Sequence, residues 1–275
     1  LPAKEAQEKR HYACAMLLNG EALANESDPT FKAFIAAHEK EATKQLSVAK
    51  GLASGKTPAS RDELLKHVHV AQLKCEPYLP HSETLRAVFC DAIRLEADLY
   101  LILSKESKNP WEWLSEIVKC YSKLHHEVPC LRSHMELGIA MADLSAVSEP
   151  TLASTLIPRA KYHLLAVLKA EDADPALLKE TELQFAKLYY YKSTIVDDPA
   201  KKVKNSEKCI QMLFKTLGKL DTKVKADLYI SREAKMQIAL ACGVKADASA
   251  AILFKEPPEN AEALAAEVKR ILEMP

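Results

Sequence analysis

Asp198-Pro199-Ala200-Lys201-Lys202-Val203-Lys204-Asn205-Ser206-Glu207-Lys208-Cys209-Ile210-Gln211-Met212-Leu213-Phe214-Lys215-Thr216-Leu217-Gly218 reads as one helix from cap to cap. The Asp198 carboxylate is placed to accept from backbone N–H groups that a first helical turn leaves unpaired. Pro199 fits that turn because its missing N–H would have no partner there. Val203, Ile210, Leu213/Phe214 and Leu217 then recur at steps of three, four and seven, which set them on one side of a helix. Gly218 follows as a natural C-cap.

The same grammar runs through the chain, which has fourteen prolines and six glycines. Proline inside a helix loses a hydrogen bond and clashes with the preceding turn, so each proline marks a boundary. Asp28-Pro29, Asn109-Pro110 and Asp174-Pro175 repeat the cap-then-proline signal. From 81 to 107 the apolar stripe is Leu85, Val88/Phe89, Ala92, Leu95, Leu99 and Ile102/Leu103. From Asp221 it runs Val224, Leu228, Ala234, Ile238 and Ala241/Cys242, ending at Gly243. No stretch alternates with period two over strand length, so no sheet is expected. The spacing predicts about twelve helices, at 2–24, 28–54, 59–76, 81–107, 109–126, 128–146, 148–170, 174–195, 199–218, 221–242, 247–255 and 258–273. Short connections would force neighbours antiparallel.

An all-α chain of 275 residues is long for one bundle core but ordinary for stacked helix pairs. Small-residue faces such as Ala140, Ala142 and Ala146, or Ala160, Ala166 and Ala170, suit helices packed on two sides. We therefore expect an antiparallel helix-hairpin array, an α-solenoid, forming one continuous domain over 1–275. The Leu1 start leads us to expect a piece of a longer chain.

Lysine plus arginine equals aspartate plus glutamate at 38 each, which speaks against a nucleic-acid binder. No run approaches the ~20 apolar residues of a membrane helix, and the start does not resemble a signal peptide. The seven cysteines form no CxxC pair and sit among apolar neighbours, as in Phe89-Cys90 and Cys209-Ile210. That usage fits a reduced, cytoplasmic compartment.

Catalytic and cofactor signals are weak. His67 and His69, two apart, point in different directions on a helix, and adjacent His125 and His126 share that problem. Glu8-Lys9-Arg10-His11 has the Glu-x-x-His spacing of di-iron bundles but no second copy. Cys130 and His134 lie one turn apart and read as a thiol beside a surface imidazole rather than a nucleophile and its base. Gly51-Leu52-Ala53-Ser54-Gly55-Lys56-Thr57 lacks the glycine spacing and the preceding strand of a phosphate loop. We expect no enzyme, no metal and no cofactor.

Partner-binding signals are stronger. Tyr189, Tyr190 and Tyr191 are consecutive and fan around a helix, so packing on two sides competes with exposure in a groove. Trp111 and Trp113 flank a helix start. Between Lys201 and Lys225 stand eight lysines against Glu207 and Asp221. Either these are solvated helix faces, or Lys201, Lys202, Lys204 and Lys208 steer an acidic partner.

Leu137, Gly138 and Met141, followed by Ala160, Leu164 and Val167, resemble a tetratricopeptide repeat. In that family glycine in the first helix admits close packing of the second. The turn here is about ten residues longer than the family's, its usual aromatic is missing, and no strict 34-residue period runs through the chain. The resemblance implies a degenerate solenoid acting as a non-enzymatic protein-interaction scaffold. Ser206-Glu207-Lys208-Cys209-Ile210-Gln211-Met212 with Phe214-Lys215, and Arg232-Glu233-Ala234-Lys235-Met236, resemble repeats of the large cilia- and flagella-associated scaffold proteins of the axonemal central pair. That resemblance implies a structural segment of an axoneme, with acidic tubulin surfaces as partners. A helical-bundle enzyme or small-ligand carrier is the remaining alternative.

Overall fold

The computed structural model describes residues 29–53, 58–221 and 223–255. Among these, nine α-helices and no strand occur. They are α1 (Pro29–Leu52), α2 (Pro58–Cys75), α3 (Glu83–Glu106), α4 (Pro110–Glu127), α5 (Leu131–Ala146), α6 (Pro150–Leu168), α7 (Pro175–Ile195), α8 (Pro199–Leu217) and α9 (Lys225–Lys255). A 3-10 helix, Glu76–His81, takes up the chain between α2 and α3 and contains both Pro77 and Pro80. No helix among the described residues is long and apolar enough to cross a membrane. The expected helices at 2–24 and 258–273 lie outside the described residues, as do Asp28, Glu8 and His11.

Packing divides the chain into two units with the boundary between Pro129 and Cys130. In the first unit α1 packs on α2 and on α3, α2 packs on α3, and α3 packs on α4. In the second, α5 packs on α6 and on α7, α6 on α7, α7 on α8 and on α9, and α8 on α9. Within each unit, consecutive helices are neighbours, and some also reach the next but one.

Side-chain caps mark four of the helix starts, those of α3, α5, α7 and α8. Asp198 accepts from the N–H groups of Ala200 (2.9 Å) and Lys201 (3.4 Å). Asp174 accepts from Leu177 (3.3 Å), and Ser82 from Leu85 (3.0 Å). Asn109 departs from expectation: it makes no side-chain cap, and its amide donates instead to Glu112 at 3.2 Å. Cys130 caps α5 without any sequence signal. Its sulfur accepts from Ser133 N, while Ser133 Oγ accepts from Cys130 N, a reciprocal box built on a thiol.

Two expectations need correction. Gly243 does not end a helix, because α9 runs through it to Lys255, merging the expected helices at 221–242 and 247–255. Alanines 239, 241, 246, 248, 250 and 251 surround it, and their helix propensity offsets the ~1 kcal/mol that one glycine costs. The inward face of α3 holds the expected Leu85, Val88, Phe89, Ala92 and Leu99 but is wider than the expected stripe. Ile93 and Ala97 are buried where Leu95 is half-buried and Ile102 is exposed. Glu96 occupies that buried face too.

In the second unit Leu183, Ala186, Cys209, Leu213, Ile230, Ala234 and Ala241 form the core of α7, α8 and α9. Met135, Leu164, Val167 and Phe185 join α5, α6 and α7. At the α5–α6 contact a Cβ on Gly138 would lie 2.9 Å from Leu164 Cγ and Cδ2 and 3.3 Å from the Ala160 carbonyl. The two helices therefore meet at bare backbone there.

Candidate functional site

The seven partner-binding candidates all fall on α7 and α8. The three tyrosines are half-buried and each packs differently. Tyr189 meets Phe185 edge-on, ring centroids 5.7 Å apart, and carries the Lys208 ammonium 4.5 Å above its own centroid. Tyr190 packs against the α7–α9 core. The Tyr191 hydroxyl donates to Asp143 Oδ1 of α5 at 3.0 Å. Burial first, and the Asp143 charge second, push the Tyr191 phenol well above its ordinary range. Burial likewise raises Asp143, against the lowering pull of Tyr191 and Lys187.

Lys201, Lys204, Lys208 and Lys215 are exposed and recur at steps of three, four and seven, so they form one ridge along α8. Lys202 sits off that ridge and is partly covered. Lys201 lies 3.7 Å from Asp198, its own helix cap. Beside the ridge Phe214 is 60% exposed, although the sequence stripe assigns it inward. Glu207, the acidic residue within the ridge's span, is turned to Lys245 of α9 at 3.0 Å. Lys219 is paired with Glu182.

The first unit concentrates its polar chemistry at Glu96. Its carboxylate pairs with His69 Nε2 (2.9 Å) and accepts from Gln72 Nε2 (2.6 Å) and Tyr100 Oη (3.1 Å). Glu96 and Gln72 are buried, whereas the His69 side chain is half exposed. Desolvation, then the Glu96 charge, raises both the Tyr100 phenol and the Cys120 thiol well above their usual ranges. Cys120 is therefore a packed thiol and a poor nucleophile. His67 bonds to Gln45 Oε1 instead (2.5 Å), so the two histidines do diverge. Trp113 stacks on Tyr100 at 5.9 Å, and Trp111 is exposed.

Sequence reasoning passed over Glu96 because His69 and Gln72 lie 27 and 24 residues away. The one signal was a glutamate inside an apolar stripe. Two clefts of the first unit lie elsewhere. One, of about 300 Å³, is lined by Phe31, Ile35, Glu39 and His81; the other, of about 380 Å³, by Arg86, Cys90, Asp91 and Arg94. Neither is lined by Glu96 or His69.

One further pair was invisible to spacing. His134 of α5 and His163 of α6, 29 residues apart, bring their Nδ1 atoms to 3.0 Å. Cys130, whose sulfur is the α5 cap, is exposed.

No family model, no curated protein and no solved structure matches this chain.

Proposed function

We propose that the chain is a non-enzymatic protein-interaction scaffold, a degenerate tetratricopeptide-like array of antiparallel helix hairpins. The observation that carries this reading is the α8 ridge. Four exposed lysines on one face, with Phe214 exposed beside them, combine a steering charge with an apolar anchor. The partner is an acidic protein surface. Tubulin is one such surface, and a cytoplasmic place, within a cilium in the axonemal form of the reading, fits it. Tyr189 belongs to the ridge as the platform under Lys208, while Tyr190 and Tyr191 support the helix from within.

The axonemal reading, a structural segment covered on several sides, gains support from α9. Tyr229, Met236 and Leu240 share an outward face at 64%, 52% and 46% exposure. An apolar face of that kind on a charged protein marks a contact surface.

The test is the association rate with tubulin and with a poly-glutamate peptide, measured against ionic strength. Reversing Lys201, Lys204, Lys208 and Lys215 to glutamate should slow association at least tenfold at low salt and flatten the salt dependence. An unchanged rate and slope would retire the ridge as a docking element.

A further inference from the structure

The His134–His163 pair holds two imidazole nitrogens at chelating distance. One imidazole donates its Nδ1–H and the other accepts at Nδ1, across 3.0 Å. A hydrogen bond at that distance aims the two Nδ1 atoms at each other, so a turn of each ring would aim both at a single ion between them. An imidazole binds a divalent transition ion at about 2.0–2.1 Å. Two such nitrogens at right angles on the ion lie about 2.9 Å apart, and at a tetrahedral angle about 3.4 Å apart. The observed 3.0 Å falls between these two values, so a small movement of the rings reaches either arrangement.

The scaffold fixes that spacing. His134 is one turn before Gly138, and His163 immediately precedes Leu164. Gly138 and Leu164 form the closest approach of α5 and α6, a Cβ there having no room. The rings are therefore carried by two helices clamped next to them, rather than by loops. Both side chains are half-buried, and the exposed Tyr162 ring stands edge-on to His163 at 5.3 Å. A path to solvent and a partial wall are thus both present.

We propose that His134 and His163 form a chelating site for a divalent transition-metal ion of the kind imidazole binds, Cu²⁺, Ni²⁺ or Zn²⁺. Binding needs no net proton loss: the ring that donated through Nδ1 shifts its proton to Nε2, and both Nδ1 lone pairs turn to the ion. The ion clips α5 to α6, so it acts on the stability of the second unit. The site does not depend on the proposed scaffold function.

The experiment is calorimetric titration of the full chain, first stripped with EDTA, with Cu²⁺, Ni²⁺ and Zn²⁺ salts at neutral pH. Beside it run His134→Ala, His163→Gln and the double variant, each first checked for wild-type melting. We expect one Cu²⁺, Ni²⁺ or Zn²⁺ site, weakened at least tenfold in each single variant and lost in the double. The bound ion should also raise the wild-type melting temperature. Wild-type affinity in the double variant overturns the proposal, as does no binding up to about 1 mM metal. If a variant unfolds, substoichiometric Ni²⁺ on the wild-type chain decides by NMR. Broadening that starts at the His134 and His163 ring resonances supports the site, and broadening that starts at His67, His69 or His81 overturns it.

Discussion

Gly138 faces Leu164 so closely that a single added carbon would sit 2.9 Å from two of the leucine's carbons. Real Cβ atoms do not occupy such positions, and the Ala160 carbonyl at 3.3 Å blocks retreat to the side. In most helices Gly→Ala is a gain of ~1 kcal/mol. Here Gly138→Ala should lose about 1 kcal/mol net, and Gly138→Val about 3 kcal/mol, because overpacking outweighs propensity. Urea unfolding of the three proteins measures it. A stabilised Gly138→Ala would mean that α5 and α6 sit farther apart.

The inward face of α3 separates two neighbouring aliphatics. Ile93 is fully buried and Leu95 only half so. Ile93→Ala should cost about 3 kcal/mol, through lost transfer energy and a cavity, and Leu95→Ala about 1 kcal/mol. The reverse order in chemical denaturation would restore the stripe read from sequence.

Glu96 is held by three donors, one of them the buried Gln72 amide. Glu96→Leu leaves those donors without their acceptor and should cost about 2–3 kcal/mol. Adding Gln72→Leu removes the buried amide as well, so the double variant should lose less than the sum of the two singles. Strict additivity in a double-mutant cycle would show that the Glu96–Gln72 bond does not couple them.

Two aspartates of the second unit should respond to pH with opposite sign. Burial raises Asp143, so its charged form weighs against folding at neutral pH and stability rises as pH falls through its raised pKa. Asp143→Asn should be about 1 kcal/mol more stable at pH 7, and that gain should vanish below pH ~4. Lys179 Nζ at 2.7 Å and the Asp221 N–H hold Asp227 below its usual range. Its contribution is present above the ordinary aspartate pKa and is lost as pH falls through the lowered one. Asp227→Asn should be less stable at pH 7 and converge on wild type in acid. Denaturation midpoints from pH 2 to 8 test both, and parallel curves for all three proteins would refute the assignments.

How much of this was legible varies with the range of the interaction. Asp174 and Asp198 were readable as caps because the partner N–H groups lie within three residues. The close approach at Gly138 was legible through the tetratricopeptide resemblance, which implies a glycine where the paired helix packs close. Asn109 was not, since its choice between backbone and Glu112 depends on side-chain geometry rather than on residue type. Gly243 misled because one glycine's local penalty was weighed without the alanines around it. Among the candidate residues, the lysine ridge follows from helical period alone, whereas the roles of Tyr191 and Glu96 come from other helices. His134 and His163 carry no spacing signal at all; only the clamp between α5 and α6 brings them together.

The inward residues of α9 include Asp227, Ala234, Ala241 and Ala248, each seven after the last. A seven-residue recurrence drifts by only about 20° per repeat on a straight helix, so all four stay within one inward face. Tyr229, Met236 and Gly243 follow the same seven-residue step on the outer side. They make a second line that stays parallel to the first and tapers from a ring, through a thioether, to bare backbone with nothing within 4 Å of a Cβ at Gly243. A partner helix laid along it would ride high at Tyr229 and descend at Gly243.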